Sequence, residues 1–209
     1  MSYKNIDYVM KAIVIGDTGV GKTTLLKKIT EYIFTYDNTP TIGVDFYTID
    51  KNLNGSNIRI NIADTAGQEH YDSLVKLYFK NNAICYIIYD VCNKKSFKSV
   101  QKWINKFKTH SSNPQAQIVV IANKIDNKNK RKVSYEEGLT LSCMNNAIYI
   151  ESSCKTSQGL EKIIYEPLRK IMELHDKKIL YLSNANGFTK YKNPNTLFLP
   201  KNKTCCVIQ

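Results

Sequence analysis

A glycine-rich loop ending in a lysine and a threonine is the first part of this sequence that can do chemistry. Residues 16–23 read Gly-Asp-Thr-Gly-Val-Gly-Lys-Thr, which is the complete pattern of a P-loop. In such a loop the backbone N–H groups and the following helix N-terminus surround phosphate oxygens. Lys22 is expected to reach the β- and γ-phosphates, and the Thr23 hydroxyl to bind Mg²⁺. This pattern predicts a nucleotide phosphate site without separating ATP from GTP.

A second loop is expected to read the base. Asn123-Lys124-Ile125-Asp126 follows an apolar run of strand length. A carboxylate accepts both the ring N–H and the exocyclic amine of guanine, and adenine lacks that donor pair, so Asp126 would select guanine. The stem of Lys124 would cover the base plane, and Asn123 would tie this loop to the P-loop. Ser153-Cys154-Lys155, after the next predicted strand, would add a backbone N–H to the guanine carbonyl.

These loops need a sheet that brings them to one end. Apolar runs of strand length alternate with segments of helical period, which predicts a mostly parallel six-stranded sheet with helices on both faces. Asn54-Gly55 predicts a hairpin and so one antiparallel edge strand. Ligands of such sheets bind beyond the carboxyl ends of the strands. The predicted strands are 11–16, 44–53, 57–62, 83–91, 117–122 and 147–151, and the predicted helices are 21–31, 96–109, 134–144 and 160–174, the last interrupted by Pro167.

Size and composition indicate one domain with a tail. The chain has 209 residues, of which 43% are hydrophobic, and its formal net charge is +12. The lysines are scattered and rarely alternate with aromatic residues, which disfavours nucleic acid as a partner. Periodicity fades after residue 176, where Asn, Lys, Gly and Pro dominate. We therefore expect a folded domain over residues 1–176 and a flexible tail over 177–209.

The cysteines indicate a reducing compartment. Four of them are widely spaced singles that do not form a disulfide framework. The N-terminus lacks the apolar core of a signal peptide, and no apolar run is long enough to span a bilayer. The chain is therefore expected to be made and kept in the cytosol.

The motifs taken together resemble a known family. Asp64-Thr65-Ala66-Gly67-Gln68-Glu69, with the P-loop, Thr41 and the Asn123 to Asp126 loop, is similar to the Ras superfamily of small GTPases. Thr41-Ile42-Gly43-Val44-Asp45-Phe46 and the paired C-terminal cysteines narrow the resemblance to the Rab family of membrane-traffic regulators. The resemblance covers roughly residues 8 to 174. Residues 123–138, with Trp103, are similar to the Rab branch linked to endoplasmic reticulum and lipid droplets.

The resemblance implies the P-loop small GTPase fold, Mg²⁺ with GTP or GDP, and a role for each motif residue. Thr41 would bind Mg²⁺ and, with the Gly67 N–H, contact the γ-phosphate; Asp64 would hold the Mg²⁺ shell. Gln68 would orient the attacking water, with Lys22 and Thr41 as the other catalytic residues. Phe34 would pack against the guanine edge. The implied nucleotide-binding set is Asp17, Thr18, Gly19, Val20, Gly21, Lys22, Thr23, Thr24, Phe34, Thr41, Gly67, Asn123, Lys124, Asp126, Ser153, Cys154 and Lys155, and the implied metal ligands are Thr23, Thr41 and Asp64.

A Rab-type switch would hydrolyse GTP slowly and change two segments, about 36–45 and 67–78, between its nucleotide states. The resemblance implies a monomer served by an exchange factor, a GTPase-activating protein, effectors and a GDP-dissociation inhibitor or escort protein. It also implies the cytoplasmic face of intracellular membranes, in exchange with the cytosol. Two alternatives are a degenerate module that binds nucleotide without significant turnover, and a P-loop enzyme such as a nucleotide kinase.

Two further features concern the membrane and the partners. Cys205-Cys206 near the C-terminus fits a prenylation box on Cys206, and a Rab ending implies geranylgeranyl groups on both cysteines. The rivals are one farnesyl group with palmitate on Cys205, and an unmodified pair. Ala63 stands where the family has a tryptophan that joins aromatics matching Phe46 and Tyr78 in an effector patch. That patch is therefore expected to be partial.

Overall fold

The computed structural model of this chain describes residues 6–31, 44–65, 78–178, 180 and 183–190. Within these residues four helices cover a seven-stranded sheet. None of the described helices has the length and apolar character needed to cross a bilayer. The strands are β1 (Tyr8–Ile15), β2 (Val44–Leu53), β3 (Ser56–Thr65), β4 (Ile84–Asp90), β5 (Gln117–Asn123), β6 (Ile148–Glu151) and β7 (Phe188–Lys190). The helices are α1 (Lys22–Glu31), α2 (Lys94–His110), α3 (Tyr135–Met144) and α4 (Leu160–Asp176).

The sheet has the order β2-β3-β1-β4-β5-β6, and β7 pairs with β1. Strands β3, β1, β4, β5 and β6 are parallel, and β2 runs antiparallel to β3 through the hairpin at Asn54 and Gly55. Both turn residues have positive φ, which suits an Asn-Gly pair. The predicted α/β fold is confirmed. The carboxyl ends of the parallel strands lie together at one end of the sheet, here called the carboxyl end, and the described loops after β1, β4, β5 and β6 begin there.

The two faces of the sheet bury separate apolar layers. Helices α1 and α4 pack on one face through residues such as Leu26 and Leu168. Helix α2 packs on the other face with Val100, Ile104 and Phe107, whose spacing follows the helical period. Helix α4 runs without a break through Pro167, which is buried on its inner face. The apolar contacts of this face outweigh the hydrogen bond that proline removes from the helix.

Side-chain caps fix where two of the helices begin. Asn93 accepts hydrogen bonds from the backbone of Lys95 and Ser96, so α2 begins two residues before its predicted start. Ser134 and Glu137 form a capping box at the start of α3. Both caps position a helix directly after a loop at the carboxyl end of the sheet.

Residues 183–190, here called the docked tail segment, lie within the expected tail, and the structure places them on the sheet. Strand β7 pairs antiparallel with β1 from Met10 to Tyr8, beside the start of β4. Phe188 is 2% exposed, and the side chain of buried Asn113 donates to the backbone oxygens of both Asn82 and Asn186. Hydrophobic periodicity could not predict this strand, because three residues are too few to establish a period.

Gly187 is the residue on which this docking depends. Its φ is +77°, and a Cβ there would lie 2.3 Å from the backbone oxygen of Asn81. We expect Gly187→Ala to detach the segment, so that the amides of Lys11 and of residues 188–190 exchange with solvent at least about tenfold faster. Hydrogen exchange followed by mass spectrometry measures this.

Gly55→Ala is the matched control for the Gly187 variant. Gly55 also has a positive φ, +86°, but a Cβ there would meet nothing within 4 Å. This variant carries the backbone strain without the clash, so the docked tail segment should stay protected. Unchanged protection in Gly187→Ala would contradict the docking.

Candidate functional site

Lys22 places a buried positive charge at the carboxyl end of the sheet. It is the first residue of α1 and is 6% exposed. Its ammonium group donates to the backbone oxygens of Gly16 and Asp17, both at 2.8 Å. Burial lowers the pKa of Lys22 to about 8, and the nearby charges of Asp64 and Asp17 oppose this shift. A cation held in this way, with backbone N–H groups around it, suits a phosphate chain.

Gly21 lets the phosphate loop touch the base loop. Its φ is +99°, and a Cβ there would lie 2.6 Å from Nδ2 of Asn123. That amide donates to the backbone oxygen of Val20 at 2.9 Å. Lys124 makes a second connection, because its ammonium group donates to Gly19 O at 2.8 Å and pairs with Asp90 at 2.8 Å. The two loops that the sequence assigned to phosphate and base therefore form one connected unit.

Thr23 and Asp64 place two side-chain oxygens of the kind that bind metal ions beside Lys22. The Thr23 hydroxyl donates to Oδ2 of Asp64 at 2.5 Å. Asp64 is fully buried, and its Oδ1 has no hydrogen-bond partner in the described part of the chain. Burial raises the pKa of this carboxyl, while the Thr23 hydrogen bond and the charge of Lys22 lower it.

These two side chains fit Mg²⁺. An orphaned buried carboxylate oxygen is costly unless a further partner satisfies it, and hard oxygen donors are the ligands that Mg²⁺ prefers. Among the described residues no group of three or more His, Cys, Asp or Glu side chains could hold a metal ion. A Mg²⁺ site commonly uses one or two protein ligands and completes its shell with phosphate oxygens and water, so the fit rests on the oxygens of Thr23 and Asp64.

The base loop is braced by the loop that follows β6. Oδ1 of Asp126 accepts from the Ser153 hydroxyl at 2.7 Å. Cys154 is 7% exposed, and its Sγ lies 3.8 Å from Oδ1 of Asn123. Burial raises the pKa of the Cys154 thiol to about 11, so this group stays neutral and packs as a small apolar side chain. Lys155, next in sequence, is exposed.

Trp103 is a contact of the phosphate loop that the motif analysis did not assign. It lies on α2, and its indole N–H donates to Oδ1 of Asp17 at 2.8 Å across 86 positions of sequence. A hydrogen bond to a carboxylate is stronger than a neutral one, and here it is half-buried. The single tryptophan on an otherwise basic helix was the available signal, but nothing in its spacing identified the partner.

Several predicted site residues lie outside the described residues. They are Phe34, Thr41, Gly67 and Gln68 at the nucleotide, nearly all of both predicted switch segments, and Cys205 and Cys206 at the C-terminus. The described members of the predicted set lie in the loops at the carboxyl end of the sheet, at the ends of β3 and β5 (Asp64 and Asn123), or in the first turn of α1, as Thr24 does.

Around Ala63 the aromatic patch contains two rings, those of Phe46 and Tyr78. This alanine pairs with Phe46 across β3 and β2 and is 7% exposed. Phe46 is 67% exposed, and its ring centroid lies 5.9 Å from that of Tyr78. The two remaining aromatics thus contact each other and leave an exposed apolar surface smaller than three aromatic residues would form.

This chain is similar in sequence to one protein family along most of its length. The Ras family profile matches residues 11–173. The GTP-binding protein ypt2 of Schizosaccharomyces pombe is 34% identical over 206 residues, which cover 99% of this chain and all of that protein. Human Ras-related protein Rab-8B is 35% identical over 84% of each chain. Ras-related protein RABA6b of Arabidopsis thaliana is 34% identical over 87% of this chain and 79% of its own length.

The hydrogen bond from Trp103 to Asp17 generates a prediction about nucleotide release. Trp103→Phe keeps an aromatic ring but removes the N–H donor, leaving Asp17 without this partner. We expect the dissociation rate of bound GDP to rise about tenfold, since a hydrogen bond to a charged group contributes roughly 1.5–3 kcal/mol. Stopped-flow release of a fluorescent GDP analogue measures the rate.

Phe107→Leu serves as the control for Trp103→Phe. Phe107 is buried on the same helix, and its replacement lowers the free energy of unfolding without touching the phosphate loop. GDP release from this variant should match the parent chain. Equal release rates for Trp103→Phe and the parent would remove Trp103 from the nucleotide site.

Proposed function

Because this chain belongs to the Rab family of Ras-superfamily small GTPases, we propose that its P-loop and base loop together hold one guanine nucleotide. As a member of this family it is a GTP hydrolase that acts in vesicle traffic. The observation that carries the proposal is the pair of hydrogen bonds from Asn123 and Lys124 to the backbone of the P-loop. These hydrogen bonds fix the distance between the loop that would bind the phosphates and the loop that would bind the base.

Asp126 selects the base. The Ser153 hydroxyl occupies one position on Oδ1 of this carboxylate, and a carboxylate has lone pairs for further donors. The ring N–H and exocyclic amine of guanine supply two donors, whereas adenine presents no such pair. The half-buried carboxylate of Asp126 would then lack these two donors beside adenine, which penalises ATP. Lys124 covers one face of the base with its stem, and the backbone of residues 153–155 faces the guanine carbonyl.

Lys22 binds the phosphates. Two of its three N–H groups donate to Gly16 and Asp17, and the third donates to the β- and γ-phosphates. Thr23, Asp64 and Thr41 would hold Mg²⁺, and the bound ion would neutralise negative charge on the phosphate oxygens. The short hydrogen bond between Thr23 and Asp64 fixes the two donors side by side.

Hydrolysis depends on Gln68 and on how the attacking water and the γ-phosphate are positioned. Gln68 orients the attacking water, and Gly67 and Thr41 contact the γ-phosphate. The chain has three arginines, Arg59, Arg131 and Arg169, and each one pairs with a carboxylate of its own. None of them is in the P-loop, the base loop or either switch segment. Intrinsic hydrolysis is therefore slow, on the order of the 10⁻⁴ to 10⁻³ s⁻¹ of Ras, and an activating protein accelerates it roughly 10³- to 10⁵-fold.

The two nucleotide states differ at the segments 36–45 and 67–78, which contact the γ-phosphate through Thr41 and Gly67. Effectors bind the GTP state, an exchange factor removes GDP, and a GDP-dissociation inhibitor or escort protein binds the lipidated GDP state. The reduced aromatic patch at Phe46, Ala63 and Tyr78 favours effectors that place less apolar surface against it.

Lipid groups on Cys205 and Cys206 attach the chain to the cytoplasmic face of intracellular membranes. Two prenyl chains anchor stably where one is marginal, because each buried CH₂ contributes about 0.8 kcal/mol. The terminal cysteine pair of the sequence supports this proposal.

Replacing Asp126 by Asn should change the base that is bound. An amide donates to the additional carbonyl oxygen of xanthine and no longer accepts both guanine donors. We expect affinity to shift from guanine to xanthine nucleotides by about 10³-fold in their ratio, measured by titration with GDP and XDP. Retained preference for GDP would remove Asp126 from the base site.

Replacing Gln68 by Leu should slow hydrolysis at least about tenfold, because leucine cannot orient water. Single-turnover phosphate release from bound GTP measures the rate, with and without an activating protein, and GDP affinity serves as the control for an intact site. A rate equal to that of the parent chain under both conditions would rule out the water-positioning role.

Intact mass of the chain isolated from its native cells should show two geranylgeranyl groups, with both lost in Cys205→Ser/Cys206→Ser. One farnesyl group with palmitate, or an unmodified chain, would each contradict double geranylgeranylation.

A further inference from the structure

Helix α2 carries more positive charge than any other described helix. It contains six lysines and no Asp or Glu, which gives it a formal charge of +6. Helix α3 has two acidic residues and no basic ones, and in α4 four acidic residues outnumber three basic ones. A compositional excess of lysine in the whole chain does not account for this, since acidic residues occur on all three other helices, including Glu31 at the end of α1.

Four of these lysines lie on one face. At 3.6 residues per turn, Lys95, Lys98, Lys102 and Lys106 fall within a sector of roughly 80°. We call this set the α2 lysine face. Lys95, Lys98 and Lys102 are exposed, and no carboxylate in the described part of the chain pairs with them. Lys106 lies with its ammonium group 5.0 Å from the centre of the Trp103 ring.

The opposite side of the same helix is fixed to the core. Val100, Trp103, Ile104 and Phe107 are buried against the sheet. The α2 lysine face is therefore a rigid row of charges, along a helix about 25 Å long, rather than a set of independent side chains on a loop. Its lysines repel one another, a cost that a bound anionic surface would relieve.

The docked tail segment brings the C-terminal part of the chain to the loop that follows this helix. α2 ends at the amino end of the sheet, where the loop after it contacts the tail: Asn113 donates to Asn186, and Ser112 bonds with Asn81, whose backbone oxygen adjoins Gly187. The chain leaves the sheet at Lys190, paired with Tyr8 at the start of β1. Fourteen residues then separate Lys190 from Cys205, and they span at most about 50 Å.

We propose that the α2 lysine face docks on the anionic phospholipid headgroups of the membrane that holds the lipid anchor, so that α2 faces the bilayer. This inference rests on the proposed lipid attachment for its geometry. The docked tail segment contacts the loop that follows α2, and the lipid anchor on the same chain keeps that helix near the headgroups, which raises the effective concentration of the helix at the membrane surface.

The chemistry of the face favours a lipid surface over a protein or nucleic acid. All six basic residues are lysines, whose compact, flexible charges suit a diffuse anionic layer; carboxylates on a protein are better matched by arginine, and lysine is depleted in protein interfaces. Single-stranded nucleic acid is bound by stacking on exposed aromatic rings, and Trp103 and Phe107 of α2 are buried on its other side.

The test uses the full chain without lipid groups, as Cys205→Ser/Cys206→Ser with bound GDP. Sedimentation with phosphatidylcholine vesicles containing about 30% phosphatidylserine measures membrane affinity. In this background, Lys98→Glu/Lys102→Glu should weaken binding at least about tenfold, since each lysine near an anionic surface contributes about 1 kcal/mol. Binding should be absent on pure phosphatidylcholine and should decline with added salt.

Lys162→Glu/Lys170→Glu is the matched control. It makes the same change in net charge at exposed positions of α4, on the other face of the sheet, and leaves the tail lysines in place. We expect it to weaken vesicle binding less than about twofold. An equal loss in both double variants would mean that net charge alone drives binding, and would overturn the proposal.

Unchanged vesicle binding by Lys98→Glu/Lys102→Glu would also overturn the proposal and would leave a protein or nucleic acid as the partner of this face. GDP affinity and GTP hydrolysis of the same preparations test the proposed function separately, and intact mass of the native chain tests lipid attachment. The vesicle measurement depends neither on nucleotide turnover nor on lipid attachment, so failure of the membrane-docking proposal is distinguishable from failure of the proposed function.

Discussion

The buried ammonium group of Lys22 is the charge on which the carboxyl end of the sheet depends. Removing a cation from water costs several kcal/mol unless polar partners replace its hydration. Here the backbone oxygens of Gly16 and Asp17 and the nearby carboxylate of Asp64 are those partners. They come from the loop after β1 and from the end of β3, so the charge is satisfied only when these parallel strands are in register.

The contacts around that charge join into one unit. Asp64 fixes Thr23, Asn123 and Lys124 hold the loop that carries Lys22, and Trp103 holds Asp17 from the opposite side. A GTPase needs this rigidity because phosphoryl transfer depends on positioning and charge neutralisation rather than on covalent chemistry. Helix α2 belongs to this unit through Trp103, and its outer surface bears the lysines. Helix α2 therefore contacts the P-loop through Trp103 and carries the proposed membrane face on its outer surface.

Much of the fold and the site could be predicted because local chemistry specified it. Asn54-Gly55 favours the hairpin that the structure contains, and the glycines of the P-loop occur where its backbone has positive φ. Trp103 could not be assigned, since its partner is 86 positions away and only the packing of α2 brings them together. Strand β7 was missed for a related reason. Its stability comes from Asn113 and from the fit of Gly187 against Asn81, which are long-range contacts without a sequence pattern.

Relative affinity for guanine and adenine nucleotides is the sharpest test of whether the P-loop and the base loop form one guanine-nucleotide site. It addresses the joined phosphate and base loops as one site, using the full chain and calorimetric titration with GDP and ADP in the presence of Mg²⁺. We expect GDP to bind at least about 10³-fold more tightly than ADP, because adenine would leave Asp126 without the two donors that guanine supplies. Equal affinities for the two nucleotides would contradict it.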